Sequence, residues 1–205
     1  MIPQNTVVQK SIYTQMIKFS LEGKEYSLPT KWEEVSFKTF IRVNKIQDTN
    51  QVLPLPEEML LTALLEAFCD VPEGTFDEMS YDQLLALSPE LNNFQTDLPT
   101  TVATTWEIDG QIYSYHRDPY QYKVNEVADI RQIETTKTNN YDWLIKIASI
   151  MIRPANKVIS EAGVEHYQLI KRSLVDMAKI EEVVANMKAF EVMTVINFFL
   201  TGLKR

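Results

Sequence analysis

Apolar and polar positions alternate around an acidic-Gly pair at two places in this chain. Ile17, Phe19 and Leu21 alternate with Lys18 and Ser20, Glu22-Gly23 interrupts them, and Tyr26 and Leu28 resume the pattern. Trp106 and Ile108 do the same ahead of Asp109-Gly110, with Tyr113 and Tyr115 beyond it. Period-two alternation marks strands, and an acidic-Gly pair between them supplies the positive φ of a type I′ turn. Two β-hairpins are therefore predicted. Each gathers its large apolar side chains on one face, and each is followed by a helical segment able to cover that face.

Between and beyond the hairpins the spacing changes to three and four. Ser36 stands at an N-cap position ahead of Phe37, Phe40, Ile41 and Val43. Pro56 suits a first helical turn, and Glu57-Glu58 suits the positive end of the helix dipole, so a helix runs through Leu65 and stops near Asp70-Val71-Pro72. Ser80 caps a short helix through Leu84, Leu85 and Leu87, and Pro89 to Thr101 reads as irregular connector. Val127, Ile130 and Ile133 share one side of the next helix. Tyr141 to Ile152 is apolar almost all round, the mark of a helix buried at a domain centre. Arg153-Pro154 ends it, because the residue before proline resists helical geometry.

Tyr167, Ile170, Leu174, Met177, Ile180, Val184 and Met187 recur every three or four residues, which predicts the longest helix of the chain. A terminal helix over Phe190 to Leu203 follows. The fold class is α+β and mostly helical, with two modules: residues 1–101 hold the first hairpin, its helices and a connector, and residues 102–205 hold the second hairpin and a helical bundle. The expected core comprises Trp106, Ile108, Tyr113, Trp143, Ile147, Met151, Leu174 and Met177.

Composition narrows the function classes. Of 205 residues, 45% are hydrophobic and 23% charged, which is ordinary for a folded domain. A net charge of −8, with only Lys171-Arg172 and Lys204-Arg205 as adjacent basic pairs, argues against nucleic-acid binding, which needs clustered cations. The single cysteine, Cys69, precludes an intramolecular disulfide and fits a reducing, cytosolic compartment. Its neighbours Ala67 and Phe68 mark it as a buried structural thiol. The first residues lack the charged and apolar stretches of a signal peptide. Phe190 to Leu203 carries Glu191, Thr194 and Asn197 and falls short of the ~20 apolar residues of a membrane span.

Candidate chemistry is thin. His116-Arg117-Asp118 matches the start of a kinase catalytic loop, but no asparagine follows at the required spacing and no Gly-rich loop precedes it, so it reads as a polar turn before Pro119. His166 has no second histidine or cysteine within helical reach, and no metal site is expected. No Gly-x-Ser-x-Gly turn is present, and only 5 glycines leave little room for phosphate-cradling loops. Glu33-Glu34, Glu57-Glu58 and Glu181-Glu182 are neighbours that point about 100° apart on a helix, so they read as solvated faces and not as acid–base pairs. No catalytic residue, cofactor or metal is expected. Phe198, Phe199 and Leu200 are consecutive, and three such positions spread over about 200° of a helix circumference. One neighbour cannot cover that arc. Either the helix is sandwiched in its own domain, or Met193, Phe198, Phe199 and Leu203 contact another chain.

One ordered set of segments resembles a known family. Ile108-Asp109-Gly110-Gln111-Ile112-Tyr113 is followed by Glu126-Val127-Ala128-Asp129-Ile130, by Ile150-Met151-Ile152-Arg153-Pro154 and by Asn197-Phe198-Phe199-Leu200. From Trp106 onward this is similar to small tailed-phage morphogenesis proteins of the tail-assembly-chaperone-like or virion-associated kind. The resemblance implies a non-enzymatic role in building a phage tail inside the host bacterial cytoplasm. The implied partner is another virion protein, such as a tape measure, with no nucleic acid and no membrane, and a homo-oligomer is compatible with it. The alternative is a permanent structural component of the virion, as a ring, hub or connector.

Overall fold

The structure, a computed structural model, describes residues 16–92, 103–136, 141–160 and 163–202. The fold is α+β. A two-stranded sheet, β1 (Ile17–Leu21) with β2 (Lys24–Leu28), opens the described chain and leads to α1 (Phe37–Val52), α2 (Glu57–Phe68) and α3 (Tyr81–Asn92). A second hairpin, β3 (Thr105–Ile108) with β4 (Gln111–Ser114), precedes α4 (Val124–Thr135) and α5 (Asp142–Met151). Then come β5 (Arg153–Ile159), β6 (Glu165–Leu169), α6 (Met177–Asn186) and α7 (Ala189–Gly202). The strands β3, β4, β5 and β6 form one antiparallel sheet in that order.

Both predicted hairpins form with two-residue turns. Glu22 and Gly23 take φ of 49° and 77°, and Asp109 and Gly110 take 51° and 74°, the paired left-handed conformations of a type I′ turn. The first hairpin pairs Phe19 with Tyr26, whose rings stack at 5.5 Å. Phe76, from the loop after α2, packs its ring 4.9 Å from Tyr26 and 5.7 Å from Phe19, and so covers the face that the alternation left apolar.

Helix boundaries follow local chemistry. The Ser36 hydroxyl accepts from the Thr39 N–H and opens α1. Asp70, with φ of 54°, ends α2, and the Val71 N–H donates to the Glu66 carbonyl across the left-handed residue. Ser80 and Gln83 exchange hydrogen bonds as a capping box for α3.

That helix corrects the start of the connector expected from Pro89 to Thr101, the remainder of which, residues 93–101, lies outside the described residues. It runs through Pro89 to Asn92. Proline has no N–H for the Leu85 carbonyl, but the Ser88 hydroxyl donates to that carbonyl at 3.0 Å, so the acceptor keeps a partner and the helix continues.

A larger correction concerns the stripe from Tyr167 to Met187. It is not one helix, and α1 is longer than any helix there. Tyr167 lies in β6, Leu174 ends a 3-10 turn at Arg172–Leu174, and α6 starts only at Met177, where Asp176 accepts from the N–H groups of Ala178 and Lys179. The cause is β5. After α5 stops at Met151, Arg153 and Pro154 pair with Ser114 and Tyr113, and the rest of β5 recruits Glu165–Leu169 into the sheet. Cross-strand hydrogen bonds take the backbone groups that a helix there would have used.

The core draws on both modules. Phe37, Leu65, Phe76, Ile130, Ile147, Met151, Ile196 and Phe199 belong to one cluster of buried side chains. Two backbone bonds join the start of α1 to the link between α6 and α7: Phe37 N–H to the Met187 carbonyl at 2.8 Å, and Ala189 N–H to the Val35 carbonyl at 2.9 Å. Side chains add Tyr141 donating to Asp48 at 2.6 Å and a Lys45–Asp142 ion pair at 2.8 Å. As expected, α5 is central, with Leu144 and Ile147 through Met151 buried. Of the expected core, Tyr113, Ile147 and Met151 are buried. Trp106, Ile108, Trp143 and Met177 are half-buried against the core, and Leu174 is 72% exposed because its 3-10 turn sits outside α6.

Candidate functional site

The sequence candidates are scattered by the fold. His116 and Asp118 lie before the turn at Pro119–Gln121, where Asp118 accepts from the Tyr120 N–H at 3.0 Å. This is the polar turn expected there. His166 is exposed in β6. Among the described residues no group of His, Cys, Asp and Glu side chains could hold a metal ion. Burial pushes the Cys69 thiol up to about 12, which keeps it protonated and poorly nucleophilic. No helix among the described residues is long and apolar enough to cross a membrane.

The C-terminal helix divides its apolar surface. Phe199 is fully buried, with its ring meeting Tyr122 edge-on at 4.9 Å, so it is core and not an exposed contact. Met193 and Leu200 are half-buried against the same core. Phe198 is 47% exposed. Leu203 lies outside the described residues. Of the three expected contacts among the described residues, Phe198 is the one that this helix offers to solvent as a large, exposed apolar side chain.

Sequence reasoning missed a buried polar cluster under the second hairpin. Arg153 at the start of β5 donates from Nη1 to Glu126 Oε1 at 2.6 Å, and both side chains are 3% exposed. The other Glu126 oxygen accepts from the Lys123 N–H at 2.9 Å and caps α4. Tyr122 lies close by, its hydroxyl donating to the Met151 carbonyl and accepting from the His116 N–H. Burial raises the Tyr122 phenol well above its usual range. Burial, then the Arg153 charge, lowers the His116 imidazole, so the ring is neutral at ordinary pH. The Glu126 position in the first turn of α4 was the sequence signal, but its partner stands in a strand that the periodicity did not show.

A groove opens between the β3–β4 hairpin and α6. One part, about 480 Å³, is lined by Trp106 and Ile108 from β3, by Lys179, Glu182 and Val183 from α6, and by Glu191 from α7. It continues past Ile108 and Lys179 to Tyr113, Pro154, Ile170 and Leu174. Pairing of Trp106 with Tyr113 and of Ile108 with Gln111 puts these four side chains on the sheet face that α6 overlooks.

Strand β3 is also one of the two edges of its sheet. The two-residue turn makes Ile108–Gln111 and Trp106–Tyr113 the hydrogen-bonded pairs, so Thr105 and Glu107 turn their backbone N–H and C=O groups outward. Charge in the groove is unbalanced: Asp109, Asp176, Glu182 and Glu191 stand against Lys179 and Lys188. Burial raises the Glu191 carboxyl, while the Trp106 indole and the Lys188 ammonium pull it back down. That indole N–H is enclosed, and although it favours the charged Glu191 it makes no hydrogen bond of good geometry. A groove of this kind has an apolar floor, a free backbone edge and an acidic rim, which equips it to hold a chain segment.

No protein-family model, curated protein or solved structure matches this chain.

Proposed function

We propose that this chain is a non-enzymatic bacteriophage assembly factor, tail-assembly-chaperone-like, that holds another virion protein until the tail is built. The observation that carries the reading is the open groove between the second hairpin and α6, with Trp106 and Ile108 on its floor and the outer edge of β3 at its rim. Exposed Phe198 adds an apolar contact on α7. Such surfaces recognise segments of another chain by backbone pairing and by apolar anchors. The segments from Ile108 to Leu200 that resemble phage morphogenesis proteins supply the phage setting, with a tape measure or other tail protein as partner and the host cytoplasm as the place of action.

A second reading, a permanent virion component, draws on a different feature. The β5–β6 hairpin exposes Ile159, Val164 and Tyr167 at 63%, 61% and 37%. An apolar hairpin of this kind suits lasting contacts between subunits. Co-purification from infected cells, with mass spectrometry of the partner and of the finished particle, separates the two. The chain bound to a tail protein but absent from mature particles supports the assembly factor. Stoichiometric retention in the particle supports the structural role.

A further inference from the structure

We infer that the β3 edge beside α6 receives an extended, basic segment of the partner protein as an added strand, with an apolar–basic–apolar run opposite Trp106, Glu107 and Ile108. This rests on the reading of the chain as a protein-binding factor and names the chemistry of what it binds.

Backbone geometry comes first. Thr105 and Glu107 present their N–H and C=O groups outward, and among the described residues no hydrogen bond occupies them. No proline, lysine or bulge interrupts Thr105–Ile108, so none of these usual guards of a sheet edge is present. A strand laid along this edge would continue the pleat of β3.

Side-chain alternation then sets the pattern. Residues of the incoming strand opposite Trp106 and Ile108 would point to the face shared with α6, where Val183 and Met187 supply further apolar surface. The residue opposite Glu107 would point to the other face, beside that carboxylate. Directly opposed unlike charges stabilise a strand pair, and like charges destabilise it. Asp109 at the turn and Glu182 on α6 extend the negative rim, and the whole chain carries −8. That charge favours a cationic partner and opposes a second copy of this chain.

The test uses a synthetic peptide of alternating Val and Lys, titrated into the full chain by calorimetry and by amide NMR. It should bind, should perturb the Thr105 and Glu107 amides, and should weaken as salt is raised. The same peptide with Glu in place of Lys, or with alternate backbone amides methylated, should bind at least about tenfold more weakly. Glu107→Lys should weaken the Val-Lys peptide to a similar degree while the melting temperature stays put.

Failure to bind overturns the inference, as does equal binding of the Glu-containing or methylated peptide. A dimer that Glu107→Pro dissolves would assign the edge to a second copy and also overturn it. In infected cells, a tail protein captured equally by wild type and Glu107→Lys would sink strand addition and leave the assembly reading standing. No captured partner with either form would sink that reading itself.

Discussion

Arg153 and Glu126 form a buried ion pair at 2.6 Å, and the same carboxylate caps α4 through the Lys123 N–H. One side chain therefore fixes the start of a helix and the start of a strand. The pair is enclosed, so its worth shows when one member is removed and the other is left charged without water.

Glu126→Ala should destabilise the fold by about 3–5 kcal/mol, because Arg153 would then keep its charge in an apolar setting with its Nε already unpartnered. Denaturant unfolding measures this. A double replacement of both residues by apolar ones of similar volume should recover much of the loss.

The two neighbouring phenylalanines of α7 should behave oppositely. Phe199→Ala empties an enclosed site against Tyr122 and should cost about 3–5 kcal/mol. Phe198→Asp should stay within about 0.5 kcal/mol of wild type, since its ring is already half in water. A thermal melt of each variant checks both, and partner capture should fall with Phe198→Asp alone among well-folded variants of α7.

Gly110→Ala should cost about 1–2 kcal/mol through backbone strain alone. Its φ of 74° is left-handed, and a Cβ built there would meet nothing within 4 Å, so no steric clash adds to the cost. A loss much larger than this would mean that the turn touches other parts of the molecule.

Stability should decline at alkaline pH. Folding raises Cys69 from 9.0 to about 12, and it also raises the Tyr122 phenol, both through burial. For such a group the unfolded chain loses its proton first, so the native state's advantage is complete below pH 9.0 and disappears as pH rises toward about 12. Melting temperatures recorded from pH 7 to pH 11 should fall along the upper part of that range, and Cys69→Ala should flatten the fall.

The hairpins at Glu22-Gly23 and Asp109-Gly110 were legible because a two-residue I′ turn demands specific residues and because one face of each is covered. The β5–β6 pair was not. Its outer residues are exposed on both faces, so nothing enforces alternation, while Tyr167, Ile170 and Leu174 happen to fall at helical spacing. Pro89 was legible as a breaker, but not the Ser88 hydroxyl that takes over its missing hydrogen bond. The groove shows the same limit. Trp106 and Ile108 announced an apolar row, yet its open side depends on where α6 begins, and Asp176 sets that point through a cap that the longer stripe concealed.

The backbone bonds from Phe37 to Met187 and from Ala189 to Val35 carry a consequence for synthesis. The start of α1 leaves the ribosome long before the link between α6 and α7 exists. Until then Phe37, Ile41 and Val43 lack the helices that enclose them, and closing so long a loop is slow. The nascent first half therefore emerges with its apolar face uncovered. Ribosome-bound intermediates ending before α6 should be protease-sensitive and should draw on the cell's own folding helpers. A protein proposed to shelter another chain would itself need shelter until α6 and α7 arrive.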